Sequence, residues 1–377
     1  MKRKIFIAGA GGIGEAAALL LREWSEIEID LYLGDVSADR LAAAKAFVLK
    51  NSHKETAVET LLMPAGETTA EMRRVFEDCD CLLDCSPGGE APRMAGFARE
   101  FRMHYANLTE YVAETDAIIE LARGAETGFI LQTGLAPGFI NVLAMKLYRQ
   151  FVALYGNEQV EKIGMKVGAL SAHAHEPHFY GFTWSPIGVA TEYVKDSRVV
   201  CDYRITEKPA LSARERIVIG ARAYEADLTS GGAADLPDFF AGRARRLDYK
   251  TLRYPGHYEW VEKQIGTLPA DESRPEKLEQ MMLEAIPSVE DDLVLAHASV
   301  DGFDAGGRRR MLEKAFFVEP LEINSHRLRA IQTTTAAPLC ESAMMLLTGK
   351  YKGVVLQSQI EPDEFMSGNF VSRVYRW

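Results

Sequence analysis

No apolar run in the 377-residue sequence approaches the ~18 residues of a membrane-spanning helix, so none is expected. Basic residues are in the minority, 43 against 54 acidic, and the formal charge of −11 argues against a nucleic-acid partner. Cysteine is scarce and odd in number, with Cys79, Cys81 and Cys85 crowded into one of its segments. Cys79-Asp80-Cys81 lacks the two-residue gap usual in zinc ligand pairs, and no second pair matches it. Buried strand thiols in a reducing cytoplasm are expected instead. Internal repeats and low-complexity tracts are missing as well. What remains is an ordinary soluble composition, 47% hydrophobic and 26% charged, in a chain long enough for two or more domains.

The amino terminus offers two readings. Met1-Lys2-Arg3-Lys4 followed by apolar residues imitates a secretory signal, but Glu15 interrupts the apolar stretch. Gly9, Gly11 and Gly14 instead spell G-x-G-x-x-G between a strand-like "KIFIA" and a helix-forming "EAAALLLREW". In that setting Gly9 permits the tight turn, Gly11 lets the backbone approach a pyrophosphate, and Gly14 lets the helix pack on the strand. Gly9, Gly11, Gly12, Ile13 and Gly14 are therefore the expected phosphate contacts, at the positive end of a helix. A second strand, "IEIDLYLGD", ends at Asp35, 21 residues beyond Gly14, near the spacing for an acid that grips an adenosine ribose. A carboxylate there repels a 2′-phosphate, so NAD is expected over NADP, although Arg40 lies nearby. The competing role for Asp35 is to cap the helix starting near Ala38.

Strand-like and helix-like segments alternate to about residue 135, which predicts an α/β fold with a doubly wound parallel sheet. Ligands bind beyond the carboxyl ends of such strands. That directs attention to Cys85-Ser86-Pro87, expected at the nicotinamide, to Leu108-Thr109-Glu110, and to Gly134–Gly138. The last loop either floors a pocket or is a tight connection. From about 160 to 330 strand-like runs mix with irregular loops, an inserted α+β substrate domain. The expected boundaries are 1–138, 139–332 and a segment 333–377 returning to the first domain, with a helix closed by Gly349.

Further candidates lie in the second domain. Thr229, Ser230, Gly231 and Gly232 form either an anion-binding nest or a surface turn. "YKTLRYPGHYE" gathers Arg253, suited to a carboxylate, and His257, suited to proton transfer near neutrality. "SAHAHEPHFYGFTWSP" supplies His173-x-His175, which on a strand would place two rings on one face. The helical H-E-x-x-H arrangement is missing and Pro177 breaks the geometry, so no metal is expected; the stretch reads as a pocket-lining loop, with Tyr180 as a substrate contact. Arg243–Arg246 and Arg308–Arg310 read as solvated surface.

Taken together, the motifs resemble the saccharopine dehydrogenase-like oxidoreductases, including bacterial lysine 6-dehydrogenases. The resemblance is carried by "AGAGGIG" (8–14), "HYANLTE" (104–110), "GLAPGFINVLA" (134–144), "FTWSPIGVATEY" (182–193), "TSGG" (229–232), "YKTLRYPGH" (249–257) and "TTAAPLCESAMMLLTGK" (334–350). It implies a Rossmann-type nucleotide-binding domain, an inserted substrate and dimerisation domain, and a homodimer. It also implies nicotinamide-dependent chemistry at a carbon–nitrogen bond of a lysine-derived amino acid. Ala136 stands where saccharopine reductases often have Asp, Asn107 and Tyr111 where bacterial relatives often have Asp, and the His173–His178 stretch also departs from the pattern. On this expectation His257 and Glu110 are the candidate bases, and Arg253 with the 229–232 nest holds the substrate carboxylate. The rival is a non-catalytic nucleotide sensor or assembly protein on the same fold.

Overall fold

The computed structural model describes residues 2–172 and 174–376. The chain divides into two compact units. One comprises Met1–Phe139, Leu321–Leu328 and Gln332–Trp377, and the other Ile140–Pro320 with Arg329–Ile331. A short hairpin, Leu321–Ile323 with His326–Leu328, belongs to the first unit, although the sequence places it in the second.

In the first unit, β1 (Arg3–Ala8), β2 (Ile29–Asp35), β3 (Val58–Leu62), β4 (Cys81–Asp84), β5 (His104–Asn107) and β6 (Gly128–Ile130) join the late strand Gly353–Val355. The order across the sheet is Gly353–Val355, β6, β5, β4, β1, β2, β3. Every pairing is parallel, so this is a doubly wound Rossmann-type sheet. One face is packed by Phe6, Phe76, Leu82, Met94, Phe97, Tyr105 and Phe129. Each such burial contributes roughly 1.5–3 kcal/mol against solvent exposure. The helix Gly12–Trp24 is buried continuously from Ala16 to Arg22. Its middle is covered on all sides because the helix Ala330–Leu347 returns against it, and Cys340 Sγ reaches Ala17 O at 3.6 Å. The helix Asn369–Val374 is fastened by Glu341, whose carboxylate accepts from Phe370 N at 2.8 Å and Val371 N at 3.3 Å.

Strand order reverses between β1 and β4, the crevice where doubly wound sheets bind ligands. Register pairs Ala8 with both Gly34 and Asp84, and Asp84 with Asn107. Four strands therefore end at one level, and the loops that follow share a rim.

The second unit is built on a mixed sheet of β7 (Val160–Ser171), β8 (Ser197–Cys201), β9 (Arg204–Lys208), β10 (Glu215–Ile219), β11 (Arg222–Leu228), β12 (Ala244–Arg253), β13 (Asp292–Phe303) and β14 (Arg309–Val318). Its order is β10-β11-β12-β7-β13-β14, with β8 pairing to β12 and β9, and only β12 and β7 run parallel. A satellite core of Tyr180, Phe182, Tyr193, Tyr258 and Met282 forms beside it, from a loop and the helices Pro186–Val194, His257–Ile265 and Arg274–Ala285. Among the described residues no helix is long and apolar enough to cross a membrane.

Candidate functional site

The glycine turn sits at the carboxyl end of β1, and its three glycines answer different demands. Gly9 has φ +95°, and a Cβ there would lie 2.6 Å from Cys85 O. A Cβ on Gly14 would fall 1.9 Å from Gly9 O, so the first helix can approach its strand only without a side chain there. Gly11 is different: its φ of −85° and ψ of −174° suit any residue, and a Cβ there would meet nothing within 4 Å. The open space lies at the start of the first helix, where no side chain caps the backbone. First-turn N–H groups have no intrahelical acceptor, and the helix dipole adds positive potential. These are the requirements for holding a diphosphate.

Asp35, at the tip of β2, lies beside this turn. Its Oδ2 accepts from Ala10 N at 2.9 Å and its Oδ1 from Ser37 N at 2.9 Å. Each carboxylate oxygen keeps a further lone pair for a ligand hydroxyl. The following helix is capped by Ser37, whose side chain accepts from Arg40 N, so Asp35 is not that cap.

The loop after β4 borders the same turn, and Cys85 N donates to Ala8 O at 2.7 Å. Ser86 donates to Asp84 Oδ1 through both its amide, at 3.0 Å, and its hydroxyl. Tyr105 Oη donates to Asp84 Oδ2 at 2.8 Å. Burial pushes the Asp84 carboxyl up to about 6, against the lowering effect of these bonds. Pro87 leads into a turn in which a Cβ on Gly88 would lie 2.8 Å from Thr109 Oγ1 and from the Tyr111 ring. The loops after β4 and β5 therefore touch, and Glu110 sits half-buried between Thr109 and Tyr111 in sequence. The Gly134–Gly138 loop closes on itself: Gly134 N donates to Pro137 O at 2.9 Å and Phe139 N to Gly134 O at 2.8 Å. These amides are engaged, which makes the loop a tight connection. Asn107 fastens it, accepting from Gln132 N through Oδ1 at 2.8 Å.

In the second unit the sequence candidates gather around Arg253, which ends β12 and is 1% exposed. Its Nε donates to Tyr193 Oη at 2.7 Å and its Nη1 to Leu252 O at 3.0 Å, while the guanidinium lies 4.6 Å above the Tyr180 ring. Tyr193 Oη is also 2.9 Å from His257 Nε2, and His257 Nδ1 is 2.6 Å from His178 O. Since the carbonyl can only accept, Nδ1 carries the proton and Nε2 accepts from Tyr193. Burial, then the neighbouring Arg253 charge, depresses His257 to about 3. The ring is neutral with both nitrogens occupied, so it orients Tyr193 and Arg253 and is not placed as a free proton acceptor. The Tyr180 hydroxyl is buried, with the Trp184 side chain acting on it as a donor.

The Thr229–Gly232 stretch is engaged internally. Thr229 Oγ1 is 2.7 Å from Thr251 Oγ1, Ser230 N donates to Glu192 O at 3.2 Å, and Gly232 N to Ser230 O at 3.1 Å. Gly231 has φ +87°, and a Cβ on Gly232 would lie 2.3 Å from the Tyr249 ring. The glycines are thus required by the turn and its packing.

Tyr193 is the site residue that sequence reasoning missed; its signal was membership of "FTWSPIGVATEY", with no spacing to tie it to Arg253 or His257. Among the described residues no group of three metal-ligating side chains converges, and His173 of the H-x-H pair lies outside them.

Residues 5–131 match the family model for the saccharopine dehydrogenase NADP binding domain, and residues 134–370 that for the saccharopine dehydrogenase C-terminal domain. Among solved structures, the fold is similar to apo saccharopine dehydrogenase (L-Glu forming) from Saccharomyces cerevisiae. That match has a TM-score of 0.76 and 14% identity, covering 97% of this chain and 96% of that one. It is also similar to homospermidine synthase from Legionella pneumophila in complex with NAD, with a TM-score of 0.68 and 11% identity, over 100% and 90% of the two chains.

Proposed function

The chain belongs to the saccharopine dehydrogenase family, and from that premise we propose that it is a nicotinamide-dependent oxidoreductase acting at a carbon–nitrogen bond of a lysine-derived amino acid. The observation that carries this reading is the open space at Gly11, bordered by the uncapped first turn and the Asp35 carboxylate. The Gly11–Gly14 amides would hold the pyrophosphate and Asp35 the adenosine ribose. A free 2′-phosphate would meet the Asp35 charge, which favours NAD over NADP. Cys85, Ser86 and Pro87 would border the nicotinamide, which supplies a hydride acceptor or donor when bound.

The chain's own residues have two further tasks. An ammonium has no lone pair to form an imine, so the substrate amine must lose a proton before its carbon releases hydride. We assign that proton to Glu110, on the loop after β5. The substrate carboxylate is assigned to Arg253, with Tyr180 beside it. His257 acts through Tyr193, keeping the guanidinium in one orientation. Water then adds to the imine, and its hydrolysis gives a carbonyl compound and an amine. A cytoplasmic homodimer is part of the same proposal and rests on the family resemblance. Mixing the purified chain with NAD+ or NADP+ and a panel of lysine, saccharopine and related amino acids, and following reduced nicotinamide by absorbance, tests it. Reduction with one member of the panel is expected, and none with any member overturns the substrate class.

A further inference from the structure

Asp84 is an acid with no counter-ion, placed at the crevice where the strand order reverses. It is the last residue of β4, in register with Ala8 of β1 on one side and Asn107 of β5 on the other. Its side chain is 2% exposed. Among the described residues, hydrogen bonds reach it from neutral donors: Ser86 N, Ser86 Oγ and Tyr105 Oη. No lysine or arginine pairs with it among the described residues, and the Glu90 charge, of the same sign, acts on it.

Such a carboxylate is expensive to keep charged in a protein interior unless an opposite charge arrives. The loop it anchors borders the glycine turn, since Gly9 lies so close to Cys85 O that no Cβ fits between them. A dinucleotide running from Asp35 across that turn has its nicotinamide half over the end of β4. The oxidised ring carries a positive charge, and the reduced ring is neutral. We propose that Asp84 is a specificity-determining residue that favours the oxidised, cationic nicotinamide over the reduced one. The inference rests on the cofactor reading above. It adds that the free enzyme carries an unpaired negative charge where that ring's charge would be complementary.

The surroundings leave Asp84 as the group that titrates here. Tyr105 from β5 and the adjacent Cys85 are both pushed upward by burial, so neither ionises near neutrality. Asn107 lies against the Tyr105 hydroxyl and carries no charge, and Glu90 is an acid that acts on Asp84. The Tyr105 hydroxyl also lies 3.2 Å from Ala91 O. When Asp84 is protonated it can donate to Tyr105, which turns its own proton to that carbonyl.

The test is binding, read without turnover. Dissociation constants for NAD+, NADH and ADP-ribose are measured for wild type and Asp84→Asn at pH 8. The variant is expected to weaken NAD+ about fivefold, the scale of one screened charge–charge attraction, and to leave NADH and ADP-ribose unchanged. If all three weaken together, Asp84 is only a staple for the Ser86 loop, and the proposal falls. It falls equally if none changes. Should Asp84→Asn not fold, the wild type decides: NAD+ affinity relative to NADH must rise from pH 5 to pH 8, and a flat ratio refutes the inference. A wild type that binds none of the three ligands removes the cofactor reading itself, an outcome distinct from the others.

Discussion

The two glycines at 11 and 14 should respond differently to the same added methyl group, one in folding and the other in ligand binding. In Gly14→Ala the new carbon would fall 1.9 Å from Gly9 O, a backbone atom that cannot step aside without moving the strand end. An ordinary carbon–oxygen contact needs more than an ångström beyond that, and overpacking of this kind costs about 1–3 kcal/mol. For a unit of this size each kcal/mol moves the melting temperature by roughly 2–4 °C, so a fall of roughly 2–12 °C is expected. In Gly11→Ala the methyl group meets nothing within 4 Å and the backbone is already extended. The variant should lose less than about 1 kcal/mol, the difference between glycine and alanine at a helix cap. Its defect should appear only with ligand. At 100 times its dissociation constant, NAD+ stabilises a binding protein by about 2.7 kcal/mol, and this increment should shrink or vanish in Gly11→Ala. Thermal melts with and without NAD+ read both effects. A Gly14→Ala protein that melts with the parent, or a Gly11→Ala protein that keeps the full ligand shift, would refute the division of labour.

Asp35→Ala should weaken NAD+ by about 1–3 kcal/mol, the range for losing a charge-assisted acceptor, as read by calorimetry; unaltered affinity would remove the ribose assignment. Arg253→Leu should raise the substrate KM strongly while NAD+ affinity stays constant, and unchanged steady-state kinetics would take Arg253 out of the substrate site. Glu341 carries a pH prediction. Burial raises its carboxyl from an ordinary 4.5 to about 7, so the folded state holds the proton more tightly than the unfolded chain. The stability this contributes is present below the unfolded value and is lost as pH rises through about 7, on the order of 3 kcal/mol in total. Asp84, raised to about 6, acts in the same direction over a lower window. Melting temperatures from pH 5 to pH 8 should therefore fall more steeply in wild type than in Glu341→Gln, and parallel curves would refute the assignment.

Much of the first unit follows from local rules. Short runs such as Ile5–Ala8 and Cys81–Leu83 are apolar on both faces, as the strands of a parallel sheet are, and the glycine turn needs φ values and close approaches that few other residues allow. Strand, turn, helix and the acid at residue 35 could thus be read in order along the chain. β3, Val58–Leu62, and the late strand Gly353–Val355 gave little signal, because each lies at a sheet edge, where burial writes only a weak pattern. The second unit was legible only as mixed structure. Its central contacts join residues 60 or more apart, Tyr193 with Arg253 and with His257, and no local periodicity marks such a pairing.

The chemistry divides in the same way. Sequence alone supplied the residue types: a glycine turn for phosphate, an acid for a sugar, and an arginine and a histidine on one short stretch. Tertiary structure decided their states. It buried His257 with both nitrogens engaged, and it raised the proton affinity of Asp84 among neutral hydrogen-bond donors. The reason is physical. Residue identity fixes which bonds a group can make, whereas the distance to a partner and the exclusion of water, which set charge and proton affinity, exist only once the chain has folded.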